Sequence, residues 1–405
     1  MFSSTRRDLN YLTARFFDGL STGLILLALP WYILTHGGTG SFVASIALVC
    51  TITSFALTPL LSTFIDRYSR KTILIANQVI QAAVAFVVAL CVVKQMASPL
   101  LLGLCQVIYW VTMNMAWSTN NAFTQENWQP SEYAGISGKQ EIVAQMTVLL
   151  AGATGVIMLE NWGLLTFSLV AAFASMLSTF SYLVTPHQRR VLNRQQESVW
   201  RQLKQSKDIV WADKTFFAFI FAAQLGYPVL TFLGQLVPIW LSEQGASGSW
   251  FASYQLLIGL GAITSGLLIK RIYQHIALEK ILPLGALAMA LAVYSMSWQT
   301  NLITFVALAA LFGFFKSVNR VTRANLMHLH TDGSTRGRAE GVLGMMVMTV
   351  QSFSYIFIAA ISAEGQTELG FTAAAGVLFL SALVMTYLLA RLTKERRFVT
   401  NECTL

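Results

Sequence analysis

Two groups of charged residues lie inside apolar segments of this 405-residue sequence, where an ionised side chain is costly unless it has a partner or a role. The first group is Arg15 and Asp18, whose i, i+3 spacing places both charges on one face of a helix. A carboxylate paired with a cation in this way could exchange a proton or contact a substrate. The plainer interpretation is an interfacial ion pair that orients the helix, with Arg15 extending to the lipid headgroups.

The second group is a cationic stripe formed by Lys316, Arg320 and Arg323 at spacing i, i+4, i+7. If the stripe faces a water-filled cavity, Lys316 and Arg320 would attract an anionic ligand or pair with Asp18. The alternative is that Arg320 and Arg323 only reach the lipid headgroups. The spacing therefore predicts one cationic helix face without deciding what it binds.

Aromatic and amide side chains recur in other apolar segments and would suit the walls of a cavity for a sizeable, partly polar ligand. Taken singly, each such residue is more often a packing residue. Five aromatic residues near the presumed outer ends of their segments are predicted to be interfacial anchors instead: Trp31, Tyr32, Trp162, Trp240 and Trp250. The predicted cavity residues are Trp110, Asn114, Trp117, Gln145, Gln224, Tyr227, Tyr254, Gln255 and Gln351.

Sequence patterns of catalysis are missing from the chain. It contains no glycine-rich phosphate loop, no HExxH or CxxC pair and no GxSxG elbow, so we expect neither an enzyme nor an ATP-driven pump. The four cysteines have no metal-ligand spacing, and we expect no metal and no cofactor. Energy for any transport would then come from a gradient.

The amino-acid composition indicates that these apolar segments lie in a membrane. With 55% hydrophobic and 11% charged residues, the chain has too few charges to cover a soluble surface of this size. We predict an all-α polytopic membrane protein with twelve transmembrane helices. The predicted segments are 9–35, 41–61, 72–93, 99–122, 138–158, 162–185, 215–241, 249–269, 279–298, 301–325, 339–362 and 367–390.

Lysine and arginine are concentrated in alternate loops, which by the positive-inside rule places both termini in the cytoplasm. The same distribution explains the net charge of +9 without nucleic acid as a partner. The only long polar stretch, 186–213, divides the chain into an N-terminal half, 1–185, and a C-terminal half, 214–405. Within 186–213, apolar spacing indicates an amphipathic helix on the cytoplasmic face, with a loosely ordered linker as the alternative.

A short charged motif joins the second and third segments, from Ser62 through Asp66 and Arg67 to Arg70 and Lys71. This Ser-x-x-x-Asp-Arg-x-Ser-Arg-Lys pattern resembles the Gly-x-x-x-Asp-Arg-x-Gly-Arg-Arg/Lys signature of the major facilitator superfamily, with serine at both glycine positions. The resemblance implies a gating role, in which Asp66, Arg67, Arg70 and Lys71 favour one of two conformations. Orientation by positive charge alone would explain Arg70 and Lys71 but not Asp66.

The resemblance extends over the whole chain and implies two parallel six-helix halves with alternating access. The compact length, Arg336-Gly337-Arg338 opening helix eleven and the segment from Ala28 to Tyr32 look most like bacterial exporters of the enterobactin-exporter and macrolide-efflux type. We therefore predict a monomeric secondary transporter of the bacterial cytoplasmic membrane. It would export an anionic or amphipathic metabolite, such as a carboxylate siderophore, in exchange for protons.

Three alternatives remain open at this stage. A multidrug or macrolide-type efflux pump would prefer cations or neutral amphiphiles. Helix four lacks the arginine, and helix five the proline, that many drug/proton antiporters carry there. An importer of a siderophore or organic anion would share the same fold. A non-transporting membrane receptor would need no titratable group inside the membrane.

Overall fold

The computed structural model describes residues 4–129, 132–187, 208, 210–331 and 333–402, and every long regular element in these ranges is an α-helix. Most of the stretch 186–213 lies outside the described residues, including nearly all of the predicted amphipathic helix. Within this stretch the structure describes residues 186, 187, 208 and 210–213. The all-helical fold class is thus observed in the part of the chain that is described.

Five helices precede this stretch, and the last of them contains a break. Gly163 has φ 73° and ψ 171° inside the fifth helix, a left-handed conformation that glycine adopts without the strain a Cβ would add. The break lies close to the boundary between the predicted segments 138–158 and 162–185, so α5 consists of two helical parts that correspond to these two segments. The helices are α1 (Ser4–Thr35), α2 (Gly40–Arg67), α3 (Arg70–Val93), α4 (Pro99–Asn127) and α5 (Tyr133–Val184).

Seven helices follow, and the first two of them share one predicted segment, 215–241. The chain is interrupted at Leu225, three residues before Pro228, which cannot donate the hydrogen bond that Gln224 O would accept in a continuous helix. The helices are α6 (Lys214–Gln224), α7 (Gly226–Glu243), α8 (Gly248–His275), α9 (Leu278–Met296), α10 (Leu302–His330), α11 (Gly333–Ala363) and α12 (Glu368–Glu402).

Eleven helical segments among the described residues have the length and hydropathy of membrane spans. The predicted segment 138–158 contributes only a shorter apolar stretch, Ile142–Gly152. The count of twelve spans and the cytoplasmic position of both termini stay predictions.

The charged turn after α2 is shorter than the sequence suggests. Because α2 continues to Arg67 and α3 begins at Arg70, only Tyr68 and Ser69 lie between the two helices. Ser69 has φ −63°, an ordinary value for a residue with a side chain, so serine fits where the signature has glycine. The gap between the predicted segments 99–122 and 138–158 is likewise longer than in the structure, where α4 ends at Asn127 and α5 begins at Tyr133.

The chain forms two compact units. One consists of Met1–Arg194 together with Leu241–Leu256, and the other of Gln195–Trp240 together with Leu257–Leu405. In the first unit α5 packs against α1 and α3, and in the second α9 packs against α10 and α12. The segment Leu241–Leu256 thus belongs to the first unit although it lies in the second half of the sequence.

Small residues allow close helix contacts inside each unit. In the first unit a Cβ on Gly19 would lie 2.6 Å from Thr147 Oγ1, and one on Gly23 would lie 2.7 Å from the Cβ of Ala151, so α1 and α5 approach closely. In the second unit α8 and α10 cross at Gly261 and Gly313, where an added Cβ would overlap the backbone of the opposite helix. Such crossings are typical of helices packed inside membranes.

Candidate functional site

Asp18 forms the centre of a buried polar cluster in the first unit. Its side chain is almost fully buried in α1, and Oδ2 accepts a hydrogen bond from Arg15 Nη1 at 3.1 Å. Oδ1 accepts from Gln78 Nε2 at 2.8 Å and from Thr22 Oγ1 at 3.4 Å. Three donors from α1 and α3 therefore compensate the carboxylate for its lost hydration.

The cluster continues towards α4. Gln81 Nε2 donates to Thr112 Oγ1 at 2.9 Å and to Thr22 Oγ1 at 3.3 Å, and Tyr109 OH donates to Gln81 O at 3.0 Å. The side-chain oxygens of Gln78 and Gln81 are buried and have no hydrogen-bond partner among the described residues. Such an oxygen is a place where water or another donor binds.

This geometry bears on both interpretations of Arg15 and Asp18. Only 16% of the Arg15 side chain is exposed, and its guanidinium binds Asp18 within the same helix. The carboxylate of Asp18 contacts side chains of its own unit and does not lie on an open surface. Arg15 and Asp18 thus form a mostly buried ion pair within α1.

The cationic stripe lies on α10, in the second unit. Lys316 and Arg323 are partly exposed and Arg320 is exposed. Beside the stripe, buried Asn319 donates through Nδ2 to Leu282 O at 3.3 Å and so fixes α10 against α9. Asn325 Nδ2 donates to Tyr273 OH on α8 at 3.2 Å. Polar side chains next to the stripe thus hold α10 against α8 and α9. The cationic side chains of the stripe lie at partly or fully exposed positions of α10.

The predicted cavity residues differ in their accessibility. Trp117, Gln145 and Tyr227 are exposed, and Tyr254 and Gln351 are buried. Gln351 Nε2 donates to Thr231 Oγ1 at 2.7 Å, which joins α11 to α7. The partly exposed members are Trp110, Asn114, Gln224 and Gln255.

Two of the four gating residues have described side chains, and both make contacts at the start of α3. Arg70 Nη1 lies 2.7 Å from Oε1 of Glu126, whose other oxygen is 2.9 Å from His187 Nε2. Lys71 Nζ donates to Leu183 O at 2.7 Å and to Thr185 O at 2.9 Å. These contacts join α3 to the ends of α4 and α5.

The side chains of Asp66 and Arg67 lie outside the described part of the structure, and their gating role stays a prediction. Glu126 is a partner of Arg70 that the sequence analysis did not predict. Its side chain is 1% exposed and lies at the end of α4. The one signal in the sequence was that the predicted topology places the acidic Glu126 on the same side of the membrane as the basic motif that contains Arg70.

Prediction of interfacial anchors was wrong for Trp31 and Trp240. Trp31 is buried, stacks on Phe251 with ring centroids 6.0 Å apart, and donates through Nε1 to Glu160 Oε1 at 3.1 Å. The same oxygen accepts from Gly248 N at 2.7 Å. Trp240 is buried by stacking on Phe305 at 4.7 Å. Packing inside the units, rather than the membrane surface, holds both indole rings.

A metal site would require clustered ligands. Among the described residues no group of three or more His, Cys, Asp or Glu side chains could hold a metal ion. Cys50 and Cys105 are buried and Cys91 is partly buried, each as a free thiol. The candidate site in the described part of the chain is therefore built from carboxylate, guanidinium, amide and hydroxyl groups.

The profile of the Major Facilitator Superfamily matches residues 11–298 and 246–402. Among solved structures, the nucleoside transporter NupG aligns with a TM-score of 0.71 and 15% identity, covering 95% of this chain and 99% of that one. A bacterial homologue of the iron transporter ferroportin, in an inward-facing state, aligns with a TM-score of 0.72 and 14% identity, covering 95% and 99%. A D-xylose-proton symporter aligns with a TM-score of 0.67 and 15% identity, covering 94% and 97%. No curated protein matches the chain.

Proposed function

Because the chain belongs to the Major Facilitator Superfamily, we propose that it is a proton-coupled exporter of a small anionic or amphipathic metabolite. Transport proceeds by alternating access across the bacterial cytoplasmic membrane, with the protein acting as a monomer. A carboxylate siderophore in its iron-free form is the proposed substrate. The proposal depends on Asp18 and Arg15 for coupling and on the α10 stripe for substrate recognition.

The single observation that carries the coupling proposal is the buried ion pair of α1. A charged carboxylate inside a membrane span is costly, and here it is balanced by one guanidinium and two neutral donors. Protonation of Asp18 removes the negative charge and weakens its bond to Arg15. Deprotonation restores the pair, so two protonation states correspond to two arrangements of α1 and α3.

Substrate recognition is assigned to Lys316 and Arg320. Their charges lie on one face of α10 at accessible positions, and ammonium and guanidinium groups both bind carboxylates. The proposed gating role of Arg70 and Lys71 is supported by their contacts to Glu126 and to the end of α5. Loss of those contacts would release the start of α3 from α4 and α5.

Transport into everted membrane vesicles tests the substrate proposal. The probe is an iron-free citrate-type siderophore, driven by an imposed pH gradient. We expect Lys316→Gln and Arg320→Gln each to raise KM about tenfold, since a charge-assisted hydrogen bond contributes about 1.5 kcal/mol or more. Lys280→Gln, which removes an exposed lysine from α9, is the matched control and should leave KM unchanged.

An unchanged KM in both stripe variants would overturn the assignment of the stripe. Transport of ethidium with no dependence on Lys316, and without siderophore transport, would support a multidrug pump instead. Movement of the iron-loaded siderophore into right-side-out vesicles would support an importer.

A further inference from the structure

A groove with a volume of about 300 Å³ lies in the second unit between α6 and α11. Phe217 and Phe221 of α6 form one side, and Val342 and Met346 of α11 form the other. Every side chain lining the groove is apolar or aromatic except that of Lys214. None of these residues belongs to the proposed coupling pair or to the α10 stripe.

The polar end of the groove carries an accessible positive charge. Lys214 is exposed, and Trp211, three residues earlier, is 68% exposed, as amphipathic aromatic residues are at a membrane surface. Lys214 has a neighbouring carboxylate, that of Asp213, but both oxygens of Asp213 have other partners. Oδ1 accepts from Phe216 N at 3.0 Å as the N-cap of α6, and Oδ2 is 2.8 Å from His330 Nε2.

His330 is fixed in turn by stacking on Phe216, with ring centroids 3.6 Å apart. The Asp213 carboxylate is therefore held away from Lys214, and the described part of the chain places no ion pair on this lysine.

We propose that the groove binds one acyl chain of an anionic phospholipid of the surrounding bilayer, with Lys214 contacting the headgroup phosphate. The apolar walls match the chain, and the cationic end matches the charge of the headgroup. The bound chain fills the space between α6 and α11 and stabilises the second unit. The lipid acts as a structural ligand, separate from the transported substrate.

Thermal unfolding of the purified full-length protein in detergent tests this site. Dioleoylphosphatidylglycerol is titrated against dioleoylphosphatidylcholine, and the rise in the midpoint temperature is recorded. We expect the anionic lipid to stabilise the wild type at lower concentration than the zwitterionic one. Lys214→Gln should raise the half-saturating concentration of the anionic lipid about fivefold. This change corresponds to about 1 kcal/mol for one basic residue.

Two further variants separate charge from shape. Lys280→Gln, an exposed lysine outside the groove, should behave as the wild type. Met346→Trp should fill the groove and abolish stabilisation by either lipid. Because the comparison of two lipids on wild-type protein needs no variant, a poorly folded Met346→Trp protein leaves the test intact.

Equal stabilisation of the wild type by both lipids would overturn the proposal. So would a half-saturating concentration of the anionic lipid that is the same in Lys214→Gln and in wild type. If the siderophore abolished the rise in midpoint temperature that the lipid causes, the groove would be a substrate site instead.

Discussion

Asp18 shows at the residue scale how a membrane span can keep a carboxylate. Its two oxygens share one guanidinium, one amide and one hydroxyl donor, and all three partners lie in α1 or α3. Burying a carboxylate without such donors would cost several kcal/mol of folding free energy. The amide of Gln78 is the donor that comes from outside α1, so it joins the charged pair to the rest of the unit.

Replacing Gln78 by leucine should destabilise the protein measurably. The change removes a donor to a charged, buried group, and we expect a loss of about 1.5 to 3 kcal/mol of unfolding free energy. Gln106→Leu is the matched control, because its buried amide oxygen has no hydrogen-bond partner among the described residues. That variant should be neutral or slightly stabilising. Denaturant unfolding of both variants checks the prediction, and equal losses would contradict it.

Spacing alone predicted that Arg15 and Asp18 share a helix face, since i and i+3 positions are neighbours on any helix. The roles of Gln78 and Glu126 could not be predicted in the same way. Each contacts a partner on another helix, and such contacts depend on how the helices pack. Burial of Trp31 was unpredictable for the same reason, because its partners Glu160 and Phe251 are far away in sequence.

At the scale of elements, the crossing of α8 and α10 depends on two glycines. An added Cβ at Gly261 would meet Ala310 O and Phe314 N, and one at Gly313 would meet the backbone of Ile258. Backbone atoms cannot move aside as a flexible side chain can. The two helices must therefore separate if either glycine is replaced.

Gly261→Ala and Gly313→Ala should each lower the unfolding free energy by about 1 to 3 kcal/mol through overpacking. Gly266→Ala serves as the control, because Gly266 also lies in α8 and a Cβ added there would meet no atom within 4 Å. It should be neutral or stabilising by up to about 1 kcal/mol, because alanine favours a helix. Thermal unfolding in detergent distinguishes the variants, and a stable Gly261→Ala protein would contradict the close crossing.

Hydropathy located the helices because long apolar runs are the strongest signal in a membrane sequence. It also separated the segments 138–158 and 162–185 close to the break at Gly163, but it placed no break inside the segment 215–241. The break at Leu225 depends on a hydrogen bond that Pro228 cannot make, and the break at Gly163 on one backbone angle. The turn after α2 was predicted too long, because charge was taken as a sign of a loop although Asp66 and Arg67 end the helix.

At the scale of the whole molecule, the chain is divided into two units whose composition does not follow the sequence halves. The segment Leu241–Leu256 belongs to the first unit, where Gly248 N donates to Glu160. The polar stretch 186–213 predicted a division into 1–185 and 214–405, and that division stays a prediction. Sequence cannot show that a short later segment packs with earlier helices, because that contact is made only in the folded unit.

Coupling of protons to transport is the central claim, and it belongs to the whole molecule because it links a buried pair to substrate movement. The direct test is substrate-driven proton movement in proteoliposomes that contain a pH-sensitive dye. Asp18→Asn keeps the size of the side chain but cannot exchange a proton. Asp208→Asn makes the same change at an exposed position and is the matched control.

With the iron-free citrate-type siderophore added, we expect wild type and Asp208→Asn to move protons with the substrate. Asp18→Asn should still exchange labelled siderophore across the membrane but move no protons with it. Proton movement by Asp18→Asn at the wild-type ratio to substrate would contradict the account.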